Sequence, residues 1–386
     1  MEYFILSYIW CLLNTIFKWL GIYPCQRRGQ SSLKVTSACA FWVRFIVMFF
    51  LIMGTLWMAY GYLIFEETSP TEMMNQVDII ILPKVIDKIA IGGNIVLLST
   101  MFLITVVKLR SMAADLVEIQ DFVNQNARLT LDEIRDSMIK CYVRLVPLVI
   151  IIIGTYTSIF YGMFYDLQPL LGLSTIGTTI NICCMSFGTI FQVLPLFYFI
   201  LVYVEVCVVM QNWCNTLTNQ GDVLKIIEES KIFLKGLKMA SKMFSPYLFW
   251  ITSLLFLSSI INAYMALAQA FKLSNDELKL GSMILLMGQY FCCLFNTYLI
   301  FILGDTSEKT LLNVQELKSS VQDAYYQTNK ADCICSMLDE FQGFDANGYF
   351  TLNHSTLTGM TANFATFLVI LVQFNQSEPS KPDQLE

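Results

Sequence analysis

"NFATFLVILVQF", residues 363–374, is an uncharged apolar stretch that nevertheless carries Asn363, Thr366 and Gln373. On a helix of about 3.6 residues per turn, Gly359, Asn363, Thr366, Ile370 and Gln373 share one stripe, because their spacing alternates between four and three. Phe364, Phe367, Leu368, Val369, Leu371 and Val372 occupy the remaining surface and suit lipid or neighbouring helices. Burying an unpartnered Asn or Gln in hydrocarbon costs on the order of several kcal/mol. The stripe therefore faces either another helix or water. A single helix cannot enclose water, but several copies around a cyclic axis can. Ile370 would then form an apolar ring that blocks ions by dewetting, with Gln373 near the outer mouth and Asn363 deeper toward the cytoplasm. With no acidic ring on the stripe, amide, hydroxyl and carbonyl oxygens would favour cations only weakly. The alternative is that Asn363, Thr366 and Gln373 join helices within one subunit.

The rest of the chain has the composition of a membrane protein. Of its 386 residues, 56% are hydrophobic and 14% charged, and the mean hydropathy is +0.59. A soluble protein would carry about one quarter charged residues. Runs long enough to cross ~30 Å of hydrocarbon recur along the length, which selects an all-α polytopic fold over a barrel. Seven spans are expected, at 38–65, 85–107, 145–165, 174–206, 247–271, 280–303 and 354–374. The opening "YFILSYIWCLLNTIFKWLGIYP" lacks the basic flank and cleavage site of a signal peptide and reads as an interfacial or re-entrant helix stopped near Gly21 and Pro24.

Basic residues set the orientation. Eighteen of the 24 Lys and Arg residues fall in the N-terminal region and the second, fourth and sixth loops, which places the N-terminus in the cytoplasm and, with seven spans, the C-terminus outside. That insertion is the reverse of a G-protein-coupled receptor. Residues 111–144 and 213–244, on the cytoplasmic side, keep helical spacing through Leu116, Ile119 and Val123, and through Leu224, Ile227 and Phe233. They read as helical extensions forming a packed base, or else as solvated linkers. The segments are 1–37, cytoplasmic with the interfacial helix; 38–303, six spans forming a ligand-binding domain; 304–353, anchor helix and linker; 354–374, pore helix; and 375–386, an extracellular tail.

Twelve cysteines form no metal or redox signature. Cys39, Cys183, Cys184, Cys207, Cys292 and Cys293 lie in or beside apolar runs, where cysteine behaves as a small hydrophobe, and Cys333 and Cys335 fall in an expected loop. One histidine, His354, excludes a His-rich centre. No nucleophile–base–acid set is present, so an enzyme is not expected and no cofactor is implied. The sequons at Asn353 and Asn375 are expected to go unused, one cytoplasmic and one against the membrane.

A small-molecule site is expected among polar and aromatic groups in the outer halves of the spans. The candidates are Asn94, Tyr156, Tyr161, Thr178, Asn181, Asn262, Gln269, Gln289 and Tyr290. Each also serves as an ordinary interhelical hydrogen-bonding group. None is a carboxylate or an arginine, so a charged ligand is not expected. Glu205 reads as structural or gating-related.

"TFLVILVQF", Thr366 to Phe374, resembles the C-terminal signature of insect gustatory receptors: Thr-Tyr, five hydrophobic residues, then Gln-Phe. "GYFTLNHSTLTGMTANFA" before it and "WLGIYP" near the start are similar to further stretches of that family, and Phe367 departs from its usual tyrosine. The resemblance implies a ligand-gated, non-selective cation channel in the plasma membrane of chemosensory neurons. It implies a homotetramer, or a heterotetramer with related receptors, in which Thr366, Ile370 and Gln373 face the pore and the cytoplasmic extensions join subunits. The implied partners are a bitter or sugar-like tastant, permeating cations and membrane lipids, with no nucleic acid. Insect odorant receptors are the related class, leaving an odorant-receptor-like channel subunit as the alternative. A metabotropic receptor or a transporter fits less well, since the chain shows no internal repeat.

Overall fold

The computed structural model describes residues 25–28, 32–35, 85–127, 175–219, 223–273, 280–323 and 331–377, with Trp42, Ile46 and single helical positions from Ile139 to Tyr161. The expected first span at 38–65 and the N-terminal helix lie outside the described residues, apart from Trp42 and Ile46, which are helical. Two short strands, β1 (Cys25–Arg28) and β2 (Ser32–Val35), pair antiparallel with Cys25 opposite Val35 and Arg28 opposite Ser32. This hairpin departs from the expected all-helical fold. It was not expected, because four-residue strands carry too little alternation to stand out.

Six continuous helices follow among the described residues: α1 (Val85–Asn126), α2 (Thr175–Thr218), α3 (Val223–Leu273), α4 (Leu280–Asp323), α5 (Ala331–Asp339) and α6 (His354–Ser377). The first four have 42, 44, 51 and 44 residues, so at about 1.5 Å per residue each exceeds ~60 Å, twice the thickness of a bilayer core. Part of the surplus falls in the extensions expected at 111–144 and 213–244: α1 runs to Asn126, α2 to Thr218, and α3 starts at Val223. Over 111–126 and 223–244 the described residues are helical, with Leu116, Ile119, Val123, Ile227 and Phe233 buried. Pro195 in α2 and Pro246 in α3 are accommodated inside those helices. Cys333 and Cys335 belong to α5, where a loop was expected.

Three stretches among the described residues are long and apolar enough to cross a membrane, within Pro195–Thr218, Lys225–Leu267 and Met283–Gln322. The helical membrane-protein character of the chain rests on these. α6 is 24 residues long and carries no Asp, Glu, Lys or Arg.

Contacts fix the relative directions of the helices. Phe122 of α1 packs at Gly236 of α3, and Ser111 of α1 bonds Tyr247 of α3 at 2.7 Å, so α1 and α3 run antiparallel. α2 and α4 run parallel, since Tyr203 reaches Leu303, Gln211 reaches Thr310 and Cys214 reaches Asn313 at a nearly constant separation. The densest core lies in the extensions. Met112, Leu116, Ile119 and Val123 of α1 are buried there with Trp213 of α2, Phe233 and Leu237 of α3, and Val314, Leu317 and Val321 of α4. Trp213 meets Phe233 edge-on at 5.5 Å and Phe122 at 6.3 Å, and Lys235 lies 5.5 Å over the Phe122 ring. Pairs of this kind add about 0.5–1.5 kcal/mol each beyond burial. The base therefore has the close packing of a soluble core, and the other halves of the long helices project from it.

Candidate functional site

Among the described residues, α6 is covered mainly along one line. Leu357, Met360, Phe364 and Leu368 are half-buried, with α6 packed against α3 and α4. Their spacing of three or four is that of a helix face. Asn363, Thr366, Ile370 and Gln373 lie off that line and are exposed, Ile370 to 40%. Thr366 Oγ1 donates to Ala362 O at 3.1 Å, so that hydroxyl is satisfied within its own helix. Asn363 has no such bond among the described residues. Among the described residues, no neighbouring helix of the same chain is bonded to Asn363 or Thr366.

The start of α6 is held closely. Gly304 of α4 is buried, and a Cβ there would come within 2.5 Å of Leu357 Cδ1, so the missing side chain is what lets α6 approach. Asn353 caps the helix, its Oδ1 accepting from Thr356 N at 2.9 Å. Before the cap, residues 340–353 form a compact connector. Asn347 (φ 55°) and Gly348 (φ 78°) occupy the two central positions of a tight turn, and Tyr349 N donates to Ala346 O at 3.1 Å. Two adjacent positive φ values are what a type I′ hairpin turn requires, and Asn-Gly is the pair that adopts them most readily.

This connector is docked into the core. Phe344 is fully buried, 5.4 Å from the Tyr203 ring of α2, 6.2 Å from Phe244 of α3 and 5.6 Å from Phe341. Its backbone N–H donates to Ser307 Oγ of α4 at 3.0 Å, and its carbonyl accepts from Leu352 N at 3.0 Å. Ser245 of α3 donates to the Asp345 carboxylate at 3.0 Å and accepts from Asn347 N at 2.9 Å. The same carboxylate accepts from Gly348 N. Lys238–Glu340 at 2.9 Å and Lys318–Asp339 at 2.6 Å tie the neighbouring end of α5 to α3 and α4.

The candidate ligand residues divide. Asn262 and Gln289 are buried. The Asn262 amide bonds Ser258 one turn back, through its carbonyl at 2.7 Å and its hydroxyl at 3.2 Å, and Asn296 of α4 donates to the same hydroxyl at 2.9 Å. Asn262 thus belongs to a polar cluster that joins α3 to α4. Gln289 is only 4% exposed, yet its Oε1 has no hydrogen-bond partner among the described residues. Beside it, Gly288 packs against Ile159, where a Cβ would come within 2.5 Å of Cγ1. Ser186 of α2 is also buried, and its hydroxyl has no partner among the described residues. Tyr161 and Tyr290 are exposed on the protomer surface, Tyr290 to 51%. Asn94, Thr178, Asn181 and Gln269 lie in α1, α2, α2 and α3, and the description does not extend to their side chains; Tyr156 lies outside the described residues. Glu205 is buried in α2.

Sequence reasoning did not find the docked connector, the Gly304–Leu357 approach or the Ser258–Asn296 pair. The Asn347–Gly348 dipeptide was a readable turn signal.

No protein-family description matches the chain, and no curated protein matches it either. Solved structures do. The insect olfactory receptor OR5 from Machilis hrabei in complex with eugenol superposes with a TM-score of 0.62 at 12% identity, covering 97% of this chain and all of that one. The same receptor in a second structure superposes with a TM-score of 0.64 at 13% identity, covering 94% of this chain and 99% of that one. Base, long helices and terminal helix together, the chain has the fold of an insect olfactory receptor.

Proposed function

We propose that the chain is a subunit of a ligand-gated, non-selective cation channel of the insect chemosensory receptor type, opened by a small molecule. It crosses the plasma membrane of chemosensory neurons seven times, with its N-terminus in the cytoplasm and its C-terminus outside. Four subunits surround a pore lined by α6, as a homotetramer or with related receptors. The single observation that carries this reading is the exposure of Asn363, Thr366, Ile370 and Gln373 on a helix held along its opposite side. An amide facing hydrocarbon is costly. The same amide facing a shared aqueous axis is not. In that arrangement Ile370 closes the path as an apolar ring, and Gln373 lines the outer mouth.

The ligand site lies in the outer halves of α2–α4, where Gln289 and Ser186 present buried polar atoms without partners among the described residues. Apolar walls with a few oriented polar groups suit an uncharged small molecule. Residues 366–374 favour a gustatory receptor and hence a tastant; the shared fold supports an odorant-receptor-like subunit as the second reading. Whole-cell recording from cells expressing the full chain tests the channel. Ile370→Ala is expected to raise ligand-free current, and Gln373→Ala is expected to alter permeation or block. If both variants reach the surface and leave gating, block and permeability unchanged, the pore assignment is wrong.

A further inference from the structure

We propose that Phe344 is a positioning residue for gating: seated between Tyr203, Phe244 and Ser307, it holds the cytoplasmic start of α6 and passes movements of α2–α4 to the pore stripe. The inference rests on the channel reading above and adds the part that joins ligand-bearing helices to the pore helix.

The geometry supports this in three steps. The walls of the Phe344 pocket come from three different helices: Tyr203 from α2, Phe244 from α3 and Ser307 from α4. Those same helices carry Ser186, Asn262 and Gln289 in their outer halves. Between Gln289 and Ser307 α4 is continuous, so a tilt at one end displaces the other, ~27 Å away at about 1.5 Å per residue.

Next, the seat is rigid in two directions. The ring is fully buried and its backbone N–H is bonded to Ser307, while Asp345 and Asn347, next to it, are bonded to Ser245 of α3. Close-packed interiors shift between discrete arrangements and do not deform smoothly. A change in the angle between α3 and α4 must therefore move the connector as a unit.

Finally, the path from Phe344 to α6 is short. Its carbonyl accepts directly from Leu352 N, Asp345 bridges Thr351, and α6 begins at His354 with its cap at Asn353. Leu357, in the first turn, rests on Gly304 one turn from Ser307 on α4. An apolar ring excludes water only while it stays narrow. Loosening the seat of Phe344 lets α6 lean, which widens the ring at Ile370.

The test is ligand-free whole-cell current, normalised to surface-labelled receptor, in cells expressing the full chain. Phe344→Leu keeps an apolar filling but removes the ring contacts, and Phe344→Ala empties the seat. Ser307→Ala removes the acceptor for Phe344 N and leaves the ring in place. Current per surface receptor is expected to rise at least about fivefold in Phe344→Leu, the lower end of ordinary coupling between sites, and further in Phe344→Ala. Ser307→Ala is expected to move it in the same direction, with a melting temperature close to that of the parent. A merely structural residue would lower the melting temperature and surface level without raising current per receptor.

Unchanged or reduced current per receptor in Phe344→Leu overturns the inference. Should neither Phe344 variant reach the surface, Ser307→Ala decides by the same criterion. Ile370→Ala separates the two levels: current from Ile370→Ala with none of the expected rise at Phe344 or Ser307 refutes the positioning role alone. Absence of current from all surface-expressed forms refutes the channel reading and this inference with it.

Discussion

Substituting alanine for Gly304 probes the approach of α4 to the first turn of α6. The added Cβ would lie 2.5 Å from Leu357 Cδ1, 3.0 Å from Cγ and 3.2 Å from Cδ2. Ordinary carbon–carbon contact is about 3.5–4.0 Å, so roughly 1 Å must be found. Turning the Leu357 methyl group aside is not enough, because Cγ is also too close. The whole side chain, or α6 itself, must retreat. Overpacking of this kind costs about 1–3 kcal/mol, against which alanine gains about 0.5–1 kcal/mol of helix stability over glycine. The expected net effect of Gly304→Ala is a loss of ~1 kcal/mol.

In a Leu357→Ala background the obstruction is gone. There the same substitution should stabilise by about 0.5–1 kcal/mol, so its sign reverses. The assay is the unfolding midpoint of four detergent-solubilised proteins: parent, each single variant and the double variant. If Gly304→Ala has the same effect in both backgrounds, the two residues do not touch and the seating of α6 on α4 is wrong.

Three further outcomes follow from the polar groups and the turn. Ser258→Ala strips an acceptor shared by the Asn262 and Asn296 amides, and should lower stability by about 0.6–2 kcal/mol. A neutral result in the same melting assay would mean that α3 and α4 are not joined there. Gly348→Ala places a side chain at φ 78° and should cost about 1 kcal/mol or more, while Asn347→Gly should be close to neutral. Equal losses at both positions would contradict the type I′ turn. Gln289→Leu replaces a buried amide whose Oε1 lacks a partner, and in the ligand-free protein should be neutral or stabilising by about 1 kcal/mol. A loss larger than that would show the amide to be satisfied, and would remove it from the ligand site.

The parts of the structure that were legible in the sequence are those governed by local periodicity. Leu116, Ile119 and Val123 recur every three or four residues beyond the apolar run of α1, and the helix continues through them with all three buried. The phase of the α6 stripe was readable for the same reason. Its exposure was not, because that depends on which other helices cover it.

The connector was illegible for a complementary reason. Asn347–Gly348 announces a turn, but the turn docks through Ser245–Asp345 and Ser307–Phe344, partners 100 and 37 residues apart. No local pattern encodes which phenylalanine enters a distant core. Asn262 shows the same limit within one helix. The sequence places an amide in an outer half-span, and only the structure shows that Ser258 and Asn296 engage it.

The most direct test of the pore claim is cysteine scanning along α6 in the Ile370→Ala background, recording the change in ligand-free current when a cationic methanethiosulfonate reagent is applied. Cysteine at Asn363, Thr366 or Gln373 is expected to make the current sensitive to the reagent, while cysteine at Phe364 or Leu368, on the packed line, is not. Sensitivity that follows Phe364 and Leu368, or that appears at none of the three stripe positions, would contradict a water-lined α6.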